Sequence, residues 1–215
     1  MQRLRLKHPV AIRWFHWINF PLLFLMIWSG LLIYWAYDVY HIGPFHFFPK
    51  WVYSILGMDR MLADGMALHF FMMWLFVLNG VLYIAYTVFS GEWRYLVPRS
   101  PRTFKDAWQV VLYDLGFKTN LPLQEKYNAA QQVSYTAVVL MGIASVLSGL
   151  AIYKPAQLPW LTAVFGGYEG ARLVHFVLTM GYLVFFLVHV AQVIRAGWSN
   201  FRSIVIGFEP VEDHD

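Results

Sequence analysis

Apolar positions along the chain gather into four long runs, over about residues 14–37, 63–89, 132–153 and 171–194, separated by polar or mixed segments. No Lys or Arg interrupts the interior of any run. Each has at least the ~20 residues that a helix needs to cross a bilayer, where every backbone amide must find its partner inside the helix. None shows the polar face that a helix of a soluble core carries. The pattern predicts an all-α integral membrane protein, a four-helix bundle forming a single domain over residues 1–215. Composition agrees. The chain is 59% hydrophobic and 13% charged, against roughly half and about a quarter for soluble domains. Neither an internal repeat nor a low-complexity tract is evident, and nothing marks off a second domain.

Basic residues give the runs a direction. Arg3, Arg5, Lys7, Arg13, Arg94, Arg99, Arg102, Lys105, Lys118, Lys126, Arg195 and Arg202 fall on one side of the four crossings, and only Lys50, Arg60, Lys154 and Arg172 on the other. The positive-inside rule then makes both termini cytoplasmic, in a multi-pass protein of a bacterial inner membrane surrounded by lipid. The formal charge of +4 reports this topology and does not call for nucleic acid. The first run ends in Tyr34-Trp35-Ala36-Tyr37 without a small-residue cleavage pattern, so it reads as an uncleaved helix and not a signal peptide.

Two connecting segments carry signals of their own. Ser100 as cap, Pro101 at the first helical position and Gly116 as terminator predict a short helix. Phe104, Ala107, Trp108, Val111, Leu112 and Leu115 form its apolar stripe. Such a helix either lies flat on the inner membrane face or packs on the ends of the spans. On the outer side, the aromatic stretch from Asp38 to Leu62 suits either the headgroup region or a docking surface for a partner.

The candidate chemistry lies in the histidines. Of eight, four fall within the spans: His16, His69, His175 and His189. Ionisable groups in a membrane are costly and are usually functional. His175 and His189 are fourteen residues apart, which on a helix means about 21 Å along the axis and about 40° from a common face. One helix can thus ligate two cofactors stacked across the bilayer. Following the alternating helix directions, His69 lies level with His175 near the outer face, and His16 level with His189 near the inner face. Two His-His pairs suit two b-type haems whose iron, filled at both axial positions, transfers electrons and does not bind oxygen. The absence of cysteine excludes disulfides, iron-sulfur clusters and covalently attached haem. His8, His41, His46 and His214 fall in terminal or loop segments.

Small and basic residues fit this scheme without proving it. Gly30 is fourteen residues beyond His16, on about the same helix face but at the outer depth, where a porphyrin edge needs room. Gly80, Gly142, Gly149 and Gly181 mark the other spans, and close helix packing explains small residues equally well. Arg172 outside, and Arg13 and Arg195 inside, stand close enough to the histidines to meet haem propionates, although basic residues flank spans in any case.

These residues resemble a known family, the cytochrome b subunits of bacterial membrane oxidoreductases such as thiosulfate reductase, formate dehydrogenase and nickel-iron hydrogenase. Arg13-Trp14-Phe15-His16-Trp17 with Ser29-Gly30-Leu31 resembles its first helix. Lys126-Tyr127-Asn128 with Gln131 and Ser148-Gly149-Leu150 resembles its third, and Arg172-Leu173-Val174-His175 through His189-Val190 its fourth. The resemblance covers essentially the whole chain and is nearest to the thiosulfate reductase branch. It implies haem ligation by His69 with His175 and by His16 with His189. It also implies exchange with a quinone or menaquinone near the inner haem and a periplasmic oxidoreductase subunit or electron carrier outside, and some members couple to molybdenum enzymes. Asn19, Gln192, Arg94, Trp17 and Trp93 are the groups near the inner ligands able to donate to a quinone carbonyl. Each also has a plain role as an interfacial anchor, topology signal or interhelical partner.

No P-loop, nucleotide-binding glycine motif or nucleophile arrangement is present. The leading expectation is a quinone-linked electron-transfer subunit. Two rivals remain: a self-sufficient superoxide-to-quinone oxidoreductase drawing its anion past Lys50, Arg60, Lys154 and Arg172, and a haem-free scaffold or proton channel.

Overall fold

The computed structural model describes residues 4–37, 40–42, 44–120 and 127–210; Arg3, Lys126 and His214 lie outside them. In chain order the elements are β1 (Leu4–Leu6), α1 (Val10–Trp35), β2 (His41–Ile42), β3 (Phe45–His46), α2 (Lys50–Ile55) and α3 (Leu62–Ser90). They continue with α4 (Trp93–Leu96), α5 (Pro101–Asp114), α6 (Ala129–Tyr153), α7 (Pro159–Val164), α8 (Tyr168–Ile206) and β4 (Phe208–Pro210). The all-α membrane architecture expected from the apolar runs is the one observed: α1, α3, α6 and α8 are each long and apolar enough to cross a membrane.

The helix ends follow local backbone chemistry. Helix α6 starts at a reciprocal capping box. Asn128 Oδ1 accepts from the Gln131 backbone N–H at 2.8 Å, and Gln131 Oε1 accepts from the Asn128 N–H at 3.0 Å. Two otherwise orphaned donors are thereby satisfied, which is the physical reason for this pair of residues. Helix α8 continues past the predicted 194, but Gly197 at φ 80° breaks its course, a conformation that only glycine adopts without strain.

The chain divides into two compact units, residues 1–83 with 196–215 and residues 84–195. In the first, α1 and α3 run side by side. A Cβ at Gly65 would stand 2.6 Å from Leu32 Cβ and 3.2 Å from the Ser29 carbonyl oxygen, so the α3 backbone lies directly on α1. At the other end of the same pair, Phe15 and Tyr83 meet edge to face with ring centroids 5.8 Å apart. Strands β1 and β4 pair antiparallel, Leu4 opposite Pro210 and Leu6 opposite Phe208. Gly207, at φ 93°, turns the chain into β4. Its carbonyl accepts from the Lys7 and His8 backbone N–H groups at 2.9 and 3.1 Å. The segments around β1 and β4 therefore meet, and an even number of crossings allows this by returning the chain to the same side. The outer segment of this unit holds the β2–β3 hairpin and α2. There Tyr53 and Met58 are buried while Phe45, Trp51 and Ile55 point outward.

In the second unit α6 and α8 pack closely. A Cβ at Gly181 would stand 2.8 Å from Met141 Cε, and one at Gly142 would stand 3.5 Å from the Tyr182 hydroxyl. Ala151, Leu161 and Ala171 form a small core where α7 folds against these two helices. Ser100 caps α5 by accepting from the Arg102 N–H at 3.2 Å, with Pro101 first in the helix. Both alternatives left open for α5 find a face: Ala107 and Val110 are buried as it packs on α6, while Phe104, Trp108, Val111 and Leu115 form an exposed apolar stripe.

Candidate haem-binding site

A matched arrangement recurs near the outer ends of the two helix pairs. In the first unit, Ser29 on α1 and His69 on α3 meet with Oγ 2.9 Å from Nδ1. In the second, Ser148 on α6 and His175 on α8 meet with Oγ 3.0 Å from Nδ1. Each serine hydroxyl also back-bonds into its own helix, to the Leu25 carbonyl at 2.7 Å and to the Ala144 carbonyl at 2.7 Å. The glycine following each serine makes room for the ring. A Cβ at Gly30 would lie 3.7 Å from His69 Cε1, and one at Gly149 would lie 3.3 Å from His175 Cε1. Both serines are fully buried.

The sequence, in which no internal repeat was evident, does carry one local recurrence. Ser-Gly-Leu occurs at 29–31 and again at 148–150, each time opposite a histidine of the next spanning helix. A serine in a span usually means only a small residue bonded to its own helix. The doubled tripeptide was the signal available in the sequence.

Gly30 faces the His69 ring, while Gly142 and Gly181 serve the α6–α8 contact. A Cβ at Gly80 would meet nothing within 4 Å. His175 and His189 lie on an uninterrupted stretch of α8, whose non-helical residue Gly197 comes after both, so their calculated separation of about 21 Å along the axis stands. His189 stacks on Phe185, one turn earlier, with ring centroids 5.7 Å apart. His16 meets Trp17 edge to face at 5.3 Å, and Pro21 withholds the backbone donor that the Trp17 carbonyl would otherwise accept from.

The basic and polar candidates have defined neighbours within their own units. Arg13 donates to the Val205 carbonyl at 3.1 Å and Trp17 to the Ile204 carbonyl at 3.3 Å. Arg172 lies 3.9 Å from Glu169 and over the Tyr168 ring. Arg94 and Arg99 both stand over the Trp93 ring. The Gln192 amide donates to Asp114 Oδ2 at 2.9 Å. Asn19 is half-buried on α1, three residues past His16.

The prokaryotic cytochrome b561 family matches residues 7–207. The chain belongs to that family. A relative from Azospira oryzae, named a putative protein-methionine-sulfoxide reductase subunit YedZ1, is 33% identical over 187 residues, covering 86% of this chain and 89% of its own. As a cytochrome b561-type protein with four spans, the chain is a multi-pass haem protein of a bacterial inner membrane. The family implies haem b, and the donors present fit it: imidazoles within apolar helices, no cysteine, and serine partners that commit Nδ1 of His69 and His175.

Proposed function

We propose that this cytochrome b561-type protein is a di-haem membrane subunit carrying electrons between quinone and a periplasmic oxidoreductase or electron carrier. His69 and His175 hold the outer haem, and His16 and His189 the inner one. When bound, each haem would supply a one-electron iron couple. The observation that carries the reading is the spacing of His175 and His189 on one unbroken stretch of helix, which sets ligands for two cofactors at two depths. The chain's own residues do the rest. Apolar helix faces keep water from the imidazoles, Arg172 outside and Arg13 inside supply cations for propionates, and Asn19, Gln192 and Arg94 orient a quinone near the inner face. A quinone needs an apolar slot with a few polar groups of this kind.

The name of the Azospira oryzae relative describes a subunit of a reductase, which favours a membrane subunit serving a separate catalytic partner over a self-sufficient enzyme. The exposed aromatic segment with Phe45, Trp51 and Ile55 is the surface such a partner would meet.

The test uses the purified protein in liposomes. A quinol analogue should reduce the haems, and a membrane-impermeant acceptor added at the outer face should reoxidise them. Rapid superoxide-driven quinone reduction by the chain alone would assign it instead to the self-sufficient class. A preparation without a Soret band would leave the scaffold or channel reading.

A further inference from the structure

The serine hydroxyls opposite His69 and His175 have a directed role that their burial alone does not explain. A hydroxyl has one proton to give and two lone pairs to receive with. The Ser29 proton is directed to the Leu25 carbonyl at 2.7 Å, with the Met26 carbonyl at 3.1 Å. The Ser148 proton is likewise directed to the Ala144 carbonyl at 2.7 Å, with the Ser145 carbonyl at 3.3 Å. With its proton so given, each oxygen has only lone pairs to offer the imidazole, which favours Nδ1, at 2.9 or 3.0 Å, as the protonated nitrogen.

We infer that Ser29 and Ser148 are positioning residues for the outer haem, each fixing its histidine as the Nδ1–H tautomer with Nε2 presented to iron. This deepens the di-haem reading and rests on it. The partner of a ligand's second nitrogen sets ring orientation and raises the ligand's basicity. A more basic imidazole favours ferric iron. Loss of the hydroxyl should thus raise the potential of the haem it serves. Because both serines act on ligands of one haem, both variants should move the same haem. Gly149 and Gly30 belong to the device: a methyl at Gly149 would already press on the His175 ring, and a side chain larger than a methyl at Gly30 would press on the His69 ring.

The experiment is a redox titration of the purified full-length holoprotein, followed at the reduced alpha band. Low-spin ferric resonances are recorded alongside, for Ser29→Ala, Ser148→Ala, the double variant and the hydroxyl-retaining Ser29→Thr and Ser148→Thr. Expected are an upward shift of one and the same haem in both alanine variants and an altered ferric signal for that haem. The other haem should be unchanged and serves as the internal check on folding. In the double variant outer-haem affinity should fall about 10- to 100-fold, the usual cost of losing such partners. The threonine variants should stay with the parent. Silence in both haems, equal shifts of both, or shifts of different haems in the two single variants would overturn the inference. His69→Ala and His175→Ala separate the two failures. If either leaves both haems in place, the outer-site reading itself is wrong. If each removes one haem while the serine variants are silent, only the positioning role is lost.

Discussion

Arg195 grips Asp114 twice, its guanidinium lying 2.9 Å from the carboxylate and donating to the Asp114 backbone carbonyl at 2.7 Å. The contact pins the end of amphipathic α5 to the end of the fourth span, and the Gln192 amide takes the second carboxylate oxygen at 2.9 Å. Asp114→Ala removes the side-chain half of this clamp. Because Arg195 is partly exposed, the loss should be about 1 kcal/mol, seen as a modestly lower melting temperature. Faster tryptic cleavage at Arg102 or Lys105 should accompany it, with haem spectra unchanged. An unaltered cleavage rate would mean that packing of Ala107 and Val110 alone holds α5.

The two glycines beside the outer histidines are not equally forgiving. A methyl at Gly149 would approach His175 Cε1 to 3.3 Å, tighter than ordinary contact, whereas one at Gly30 would rest 3.7 Å from His69 Cε1. Gly149→Ala should therefore disturb the outer haem's potential and alpha band. Gly30→Ala should be nearly silent and Gly30→Leu disruptive. Redox titration of the three variants checks the order, and equal effects of the two alanines would contradict it.

Gly65→Ala should cost more stability than either. Its methyl would stand 2.6 Å from Leu32 Cβ and within 3.3 Å of α1 backbone atoms, so α1 and α3 must separate. Overpacking of this kind costs about 1–3 kcal/mol. Thermal unfolding in detergent is the measurement, and a melting temperature equal to the parent's would show that the helices can part freely.

Much of the fold was legible because the bilayer imposes it. Apolar length alone located α1, α3, α6 and α8, and Ser100, Pro101 and Gly116 bounded α5 by ordinary capping chemistry. Within the apolar stripe, Ala107 turns from Phe104 and Trp108 to pack on α6, so the stripe serves both of the roles left open for it. The β1–β4 pairing was not legible: two short strands from opposite ends of the chain meet through backbone hydrogen bonds, which leave no periodic trace. Nor was the break at Gly197, because a glycine near a span's end reads the same whether it packs or turns. At the site, histidine spacing was readable as helical arithmetic. The serines showed only as a doubled Ser-Gly-Leu tripeptide, and their partners were not readable because a back-bonded hydroxyl and a histidine partner look alike in sequence.

Quinone exchange is predicted to depend on Asn19, Gln192 and Arg94. Haems prereduced chemically should be reoxidised by a quinone analogue several-fold more slowly in Asn19→Leu and Arg94→Gln. Gln192→Leu also frees one oxygen of Asp114, so its effect should include the loosening of α5 seen in Asp114→Ala. Unchanged rates in all three variants with intact haem spectra would move the quinone away from the inner end.

Haem content per chain tests the central claim most directly. The purified protein, assayed as the pyridine haemochrome against protein concentration, should hold two haems b. Each of His16→Ala, His69→Ala, His175→Ala and His189→Ala should hold one, with the His69 and His175 variants lacking the same haem and the His16 and His189 variants lacking the other. One haem in the parent, or loss of the same haem from His16→Ala and His69→Ala, would contradict the two-site account.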